Sequence, residues 1–171
     1  MQEKQNNTGL VWFRNNLRVN DNMVLNEAIK QHEHIIAVYC FDPNQYEISA
    51  FGFKKTEKFR AKFLIETIED LKRNLHHLNI ELFVYHNKPK HVIPKLVKQF
   101  NVDSIYLQKE WTSEEIEVLE NVRSKLPESI SFNEYCEQFL FHPDDIGMSI
   151  NQIPQVFTNF RKKVEKYSTV R

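Results

Sequence analysis

Glycine is scarce, with three in 171 residues. The two common phosphate-cradling loops both need several glycines to bring backbone N–H groups against a ligand. The segment after the first apolar run, Asn15–Asn22 (NNLRVNDN), contains none. A dinucleotide fingerprint and a P-loop are therefore both excluded. Cysteine is nearly absent: Cys40 and Cys136 lie far apart with no C-x-x-C spacing, which excludes a disulfide framework and a thiolate zinc site and points to a reducing, cytoplasmic setting. Neither sign of charge dominates, since 23 Lys and Arg balance 23 Asp and Glu at a pI of 7.1. Net charge alone therefore does not draw in nucleic acid. No run approaches the roughly 18 apolar residues of a membrane span, and the start, MQEKQNNTG, is polar where a signal peptide would be apolar. No membrane partner is expected.

Hydrophobic residues make up 41% of the chain and aromatic ones 12%, enough to close a core, and the length suits about one domain. The first eight residues carry no apolar anchor and are expected to fray. From Gly9 on, short runs rich in β-branched and aromatic residues alternate with stretches of helical period, the pattern of a parallel α/β sheet. Strands are predicted at residues 10–14, 35–41, 81–85, 104–108 and 130–135. The first two are nearly continuous apolar runs, as central strands covered on both faces are. Helices are predicted at 23–31 with Asn22 as cap, at 56–78 capped by Thr56, and at 89–100, 113–126 and 153–167. In the longest, Phe59, Phe63, Leu64, Ile68, Leu71, Leu75 and Leu78 recur at three- and four-residue steps and are expected to face inward. In the fourth, Ile116, Leu119 and Val122 are expected to do the same.

Most chemistry-bearing residues have ordinary readings. The histidine pairs His32 and His34, His76 and His77, and His86 and His91 lack partners at ligand spacing, so no metal site is expected. Asp144 and Asp145 point in different directions within a turn. Arg161, Lys162, Lys163 and Lys166 read as a solvated helix face, and Trp12, mid-strand, as core. An ion pair between an arginine and Asp21 is expected to brace the loop after the first strand.

The stretch VWFRNNLRVNDNMVL, residues 11–25, resembles the signature of the photolyase and cryptochrome family, a W-x-R strand followed by a D-L-R-x-x-D-N-x-A-L turn into a helix. Trp12, Arg14, Leu17, Arg18, Asp21, Asn22 and Leu25 match. Asn16 stands where the family usually has Asp, and Val24 where it has Ala. Further matches are FGFKKTEKFRAKFLIETIEDLKRNL, FHPDDI and IPQVFTNFRKKVEK, and together they are most similar to the DASH branch of cryptochromes.

The resemblance implies a Rossmann-like α/β fold for residues 9–171: a doubly wound, five-stranded parallel sheet with helices on both faces. In the family such a domain precedes a helical domain that holds FAD, and that second domain is expected to be absent from this stretch. The stretch itself is then not catalytic. The whole protein would use blue light and FAD to repair cyclobutane pyrimidine dimers, favouring single-stranded DNA, or would sense light. The partner is the helical FAD domain, with DNA reached only through it, and an exposed interdomain face would leave the stretch a monomer or weak dimer. The first domain's share is an antenna chromophore site, for methenyl-tetrahydrofolate or in some members a second flavin. In doubly wound sheets ligands sit outside the carboxyl ends of the strands, which selects residues 15–22, 42–53 and 109–115. A pterin ring presents an amide and amino edge that a carboxylate grips by paired, charge-assisted hydrogen bonds. Glu110 is the first candidate, because it directly follows a strand, with Glu114 second and Trp111 as a stacking partner. The alternatives are a solvent-facing loop carboxylate at 110, residues that complement a helix dipole at 114 and 115, and a packing role for Trp111. Two other functions stand beside the antenna: a stand-alone ATP-binding α/β domain, disfavoured by the missing Gly-rich loop, and a scaffold that binds nothing.

Overall fold

The computed structural model describes residues 8–168. Of the polar start expected to fray, residues 1–7 lie outside these, and Thr8 instead opens the first strand, buried, with its amide donating to Asp103 Oδ2 at 3.2 Å. The chain falls into two compact units, Met1–Tyr135 and Cys136–Arg171.

Among the described residues of the first unit, five strands alternate with four α-helices. These are β1 (Thr8–Phe13), α1 (Met23–Gln31), β2 (His34–Cys40), α2 (Lys58–His77), β3 (Glu81–Tyr85), α3 (Pro89–Phe100), β4 (Ser104–Gln108), α4 (Ser113–Arg123) and β5 (Ser131–Tyr135). All neighbouring strands pair in parallel, in the order β3-β2-β1-β4-β5. The order reverses at β1, so the crevice beyond the ends of β1 and β4 is the topological switch point. Each strand's alternation feeds two cores. Leu10, Trp12, Ile36, Val38, Ile105 and Leu107 pack with α3 and α4, while Val11, Phe13, Ala37, Tyr39 and Tyr106 pack with α1 and α2. The sheet is thus doubly wound and parallel, as expected, and Trp12 is core.

Several local expectations are corrected. Thr56 does not cap α2; the cap is Glu57, in extended backbone and without a side-chain bond. Only Ile68, Leu71 and Leu75 of α2 are buried, whereas Phe59 and Phe63 are 78% and 64% exposed and Leu78 is exposed too. Length explains this. A helix of 20 residues is about 30 Å long, but a five- to seven-residue strand spans only about 17–23 Å, so the first turns of α2 run past the sheet. The fourth helix ends at Arg123 rather than Leu126, and Ile116 is exposed.

Among its described residues the second unit contains 3₁₀ turns at Pro143–Asp145 and Ile150–Gln152 and one helix, α5 (Phe157–Tyr167), which starts later than residue 153. Val164 is its buried residue. No helix among the described residues is long and apolar enough to cross a membrane.

Candidate functional site

Residues 14–22, which leave β1, form a loop braced by asparagine amides. Asn22 caps α1, its Oδ1 accepting from the Leu25 amide at 2.9 Å while its Nδ2 donates to the carbonyls of Arg18 at 2.8 Å and Asn16 at 3.3 Å. Asn16 is buried, accepts from the Arg14 amide at 3.4 Å and donates to Asn22 Oδ1 at 3.5 Å. A carboxylate at position 16 has no N–H to offer Asn22, so the neutral amide suits this loop. Asp21 adopts a positive φ of 48°. Arg18 secures it, donating through Nε and Nη2 to the Asp21 carbonyl at 3.0 and 2.8 Å, with the carboxylate 3.7 Å away.

Arg14 points to the other side of the sheet. Its guanidinium lies 5.2 Å from the Trp12 ring and donates through Nη2 to the Glu115 carbonyl at 3.0 Å. Burial pulls its pKa below the usual value, and the carboxylates of Glu110, Glu115 and Glu134 oppose that shift. At its start α4 carries a capping box: Thr112 Oγ1 accepts from the Glu115 amide at 3.4 Å, and Glu115 Oε2 accepts from the Thr112 amide at 3.4 Å and its hydroxyl at 2.8 Å. Arg14 and this box together fix the loop between β4 and α4 against the end of β1.

The three candidates, Glu110 and Trp111 on that loop and Glu114 in the first turn of α4, have different surroundings. Glu110 is only 6% exposed, and its Oε1 accepts from Asn15 Nδ2 at 2.8 Å. The same Asn15 nitrogen lies 3.4 Å from Glu115 Oε1. Glu110 therefore occupies the switch point between β1 and β4 as a buried carboxylate tied to the opposite loop. Trp111 is 44% exposed, with Lys109 Nζ 4.8 Å from its ring centre. The Glu114 side chain is 74% exposed and pairs with Lys55 Nζ at 2.9 Å through both oxygens.

Beyond the ends of β1 and β2 lies a cleft of about 530 Å³, walled by Arg14, Asn15, Asp42, Lys55, Arg60 and Glu114 among others. Its size falls within the range of small-molecule sites, roughly 300–1,000 Å³. Glu114 lines it, whereas Glu110 and Trp111 do not; Glu110 meets its wall through Asn15. Tyr39 and Cys40 form the floor at the end of β2, and burial pushes the pKa of each up to about 12. Asp42 is buried and caps the 3₁₀ turn Pro43–Gln45 through a 3.0 Å bond from the Asn44 amide. Thr56, unused as a helix cap, is buried in the cleft wall. Lys55 and Arg60 were not singled out from the sequence, although both lie within the stretch FGFKKTEKFRAKF, and Asp42 was signalled only by following a strand. Among the described residues no group of three or more His, Cys, Asp or Glu could hold a metal ion.

Against known proteins, residues 9–170 match the family model described as DNA photolyase. A cryptochrome DASH of Gloeobacter violaceus is 40% identical over 164 residues, covering 95% of this chain and 33% of that protein. The chloroplastic/mitochondrial cryptochrome DASH of rice, Oryza sativa, is 39% identical, covering 95% of this chain and 31% of that protein. Among solved structures, a Synechocystis cryptochrome superposes with a TM-score of 0.91 at 39% identity, covering 96% of this chain and 34% of that one. An archaeal photolyase from Sulfolobus tokodaii, solved with two FAD molecules and an implied novel light-harvesting cofactor, superposes with a TM-score of 0.74 at 25% identity, covering 96% and 36%. The chain spans about a third of the length of these relatives. With a family model matched over nearly its whole length and relatives at about 40% identity, this chain belongs to the DNA photolyase family and corresponds to the N-terminal α/β domain of its cryptochrome DASH members.

Proposed function

We propose that this chain is an antenna-chromophore-binding domain, with methenyl-tetrahydrofolate as its ligand. Glu110 carries the reading. A carboxylate only 6% exposed at the switch point of a doubly wound sheet, held at 2.8 Å by an amide from the facing loop, is a preorganised acceptor for a ligand edge that presents N–H donors. The amino and amide edge of a pterin is such an edge. Trp111, beside it in sequence and partly exposed, offers a ring face for stacking. Glu114, second in order, would act from the cleft side. When bound, a methenyl-folate absorbs near-ultraviolet or blue light and passes the excitation on. What this chain contributes is binding, orientation and exclusion of water.

In the whole protein the recipient would be FAD, held by a helical domain that is this domain's partner and the route to DNA. Repair of cyclobutane pyrimidine dimers, single-stranded DNA favoured, or light sensing would belong to that whole. No residue of this chain is assigned to FAD or to a catalytic step. Two cysteines that form no disulfide suit a reducing cytoplasm.

The cleft favours one other reading, a flavin as antenna. Its volume of about 530 Å³ suits a planar ring, and Arg14, Lys55 and Arg60 on its wall suit a phosphate. The test is titration of the 171-residue chain with methenyl-tetrahydrofolate, FMN and ATP in turn, followed by absorbance and fluorescence. Saturable folate binding that weakens about tenfold or more in Glu110→Gln, where one acceptor oxygen becomes a donor, is the expected result. Flavin binding lost in Arg60→Met but retained in Glu110→Gln would move the antenna to the cleft. Binding of ATP alone would overturn the antenna reading.

A further inference from the structure

We infer that Asn15 is the positioning residue of the folate site and sets the side-chain geometry of Glu110. The inference rests on the reading of Glu110 as the carboxylate that grips the pterin. Glu110 lies on the loop that follows β4, and a loop carboxylate left to itself samples several rotamers. Asn15 reaches it from the end of β1, 95 residues away in sequence, with Nδ2 2.8 Å from Glu110 Oε1. That nitrogen also lies 3.4 Å from Glu115 Oε1, within the capping box of α4. Asn15 is thus placed by both elements that bound the switch point, and it holds one oxygen of Glu110. The residues on either side of Asn15 are tied down too. Arg14 donates through its side-chain Nη2 to the Glu115 carbonyl at 3.0 Å, and the Arg14 amide donates to the Asn16 side-chain Oδ1 at 3.4 Å. Asn15 itself is exposed and lines the cleft, so its bond to Glu110 is where a ligand would meet the buried carboxylate. Side-chain amides suit this task because the N–H donates at any pH between acid and base, with no charge of its own to titrate.

Two substitutions separate positioning from mere support. Asn15→Ala removes the amide donor from Glu110 Oε1 and with it the contact that ties the carboxylate to the end of β1. Methenyl-tetrahydrofolate affinity is expected to fall about tenfold, the usual scale of a lost hydrogen bond to a charged group. Asn15→Asp keeps the shape but sets a second carboxylate beside the first, and two such groups cannot both ionise without cost. When the pair holds one proton, the O–H of the introduced carboxyl group replaces the amide donor; when both are ionised, they repel and Glu110 turns away. Affinity of the Asn15→Asp variant, taken as a ratio to wild type, is therefore expected to recover about tenfold or more from about pH 8 to about pH 5, while the Asn15→Ala variant shows no such recovery. A residue that only braced the loop would give no proton-dependent recovery of affinity; circular dichroism at each pH checks that both variants are folded. If Asn15→Ala and Asn15→Asp bind folate as wild type does while Glu110→Gln does not, the positioning role is overturned and the antenna reading stands. If wild type binds no folate, or Glu110→Gln binds it unchanged, both are overturned.

Discussion

Replacing Gly9 by alanine tests how tightly the central strand is enclosed. Gly9 is paired in register with Ile35 of β2 on one side and Ser104 of β4 on the other, so its backbone cannot shift away from a new methyl. A Cβ there would stand 2.7 Å from His32 Cδ2, 3.0 Å from His32 Cγ and 3.2 Å from Ile35 Cδ1, all inside the roughly 3.5–4.0 Å optimum for carbon contacts. His32 must give way. It is held edge-on to Tyr106 with ring centres 5.4 Å apart, and its Nε2 is 3.0 Å from the Tyr106 hydroxyl. Overpacking of this kind costs about 1–3 kcal/mol, and loss of the His32–Tyr106 hydrogen bond about 1 kcal/mol more. Alanine returns about 0.4–1 kcal/mol through the less flexible unfolded chain. The net expectation is a destabilisation of about 1–3 kcal/mol, a large share of the usual 5–15 kcal/mol. With a urea m-value of about 2 kcal/mol/M, the midpoint moves down by about 0.5–1.5 M with m unchanged. The same substitution in a His32→Ala background should cost much less, because the clashing ring is gone. A Gly9→Ala chain within about 0.5 kcal/mol of wild type, or an equal cost in both backgrounds, would refute the argument.

Two further outcomes follow from the same packing. Phe63→Gln, in the overhanging part of α2, should leave stability within about 0.5 kcal/mol of wild type, whereas Leu71→Ala, fully buried two turns later, should cost about 2–5 kcal/mol; thermal unfolding compares them, and equal losses would mean that both halves of the helix are core. His32 should impose a pH dependence. Burial lowers its pKa, with Asp103 opposing, so the folded protein favours the neutral ring and the unfolded chain binds the proton first. Its contribution is present above the unfolded value of about 6.5 and is lost as pH falls through the folded value, so His32→Gln should flatten the acid side of the urea-midpoint profile. An unchanged slope in that variant would count against the assignment.

The central strands β1 and β2 were readable because parallel strands covered on both faces must be apolar almost without a break, and residues 10–13 and 35–40 leave no other way to be buried. The Asn22 cap was readable because it acts within three residues of itself. What sequence could not show is where one element outruns another. The period of α2 continues through Phe59 and Phe63, yet the sheet beneath it has already ended. Nor does local sequence choose between Thr56 and Glu57 as its cap, because that depends on where the chain arrives from the preceding segment, in which Ile48 and Lys54 form an isolated antiparallel bridge. The cleft was less legible still. Its walls draw Asp42, Lys55, Arg60 and Glu114 from segments that meet only through the topology, and Lys55 and Glu114 are 59 residues apart.

Glu110 and Glu114 show why the fold decides what the residue type leaves open. Four positions apart, on the same loop and helix start, they are chemically the same group. Glu114 is mostly in water, and its pair with Lys55 is of the exposed kind, worth about 0–1 kcal/mol. Such a pair exchanges partners freely and holds neither side chain in one place. Glu110 has been taken out of water, and a carboxylate in that position is stable only where donors are supplied to it. Asn15 is one such donor, and it comes from across the switch point. The sheet order that brings β1 beside β4 therefore also converts an ordinary loop carboxylate into an oriented acceptor. On the proposed reading that conversion separates the two candidates: a ligand edge meeting Glu110 would find its geometry already set, while one meeting Glu114 would first have to compete with Lys55.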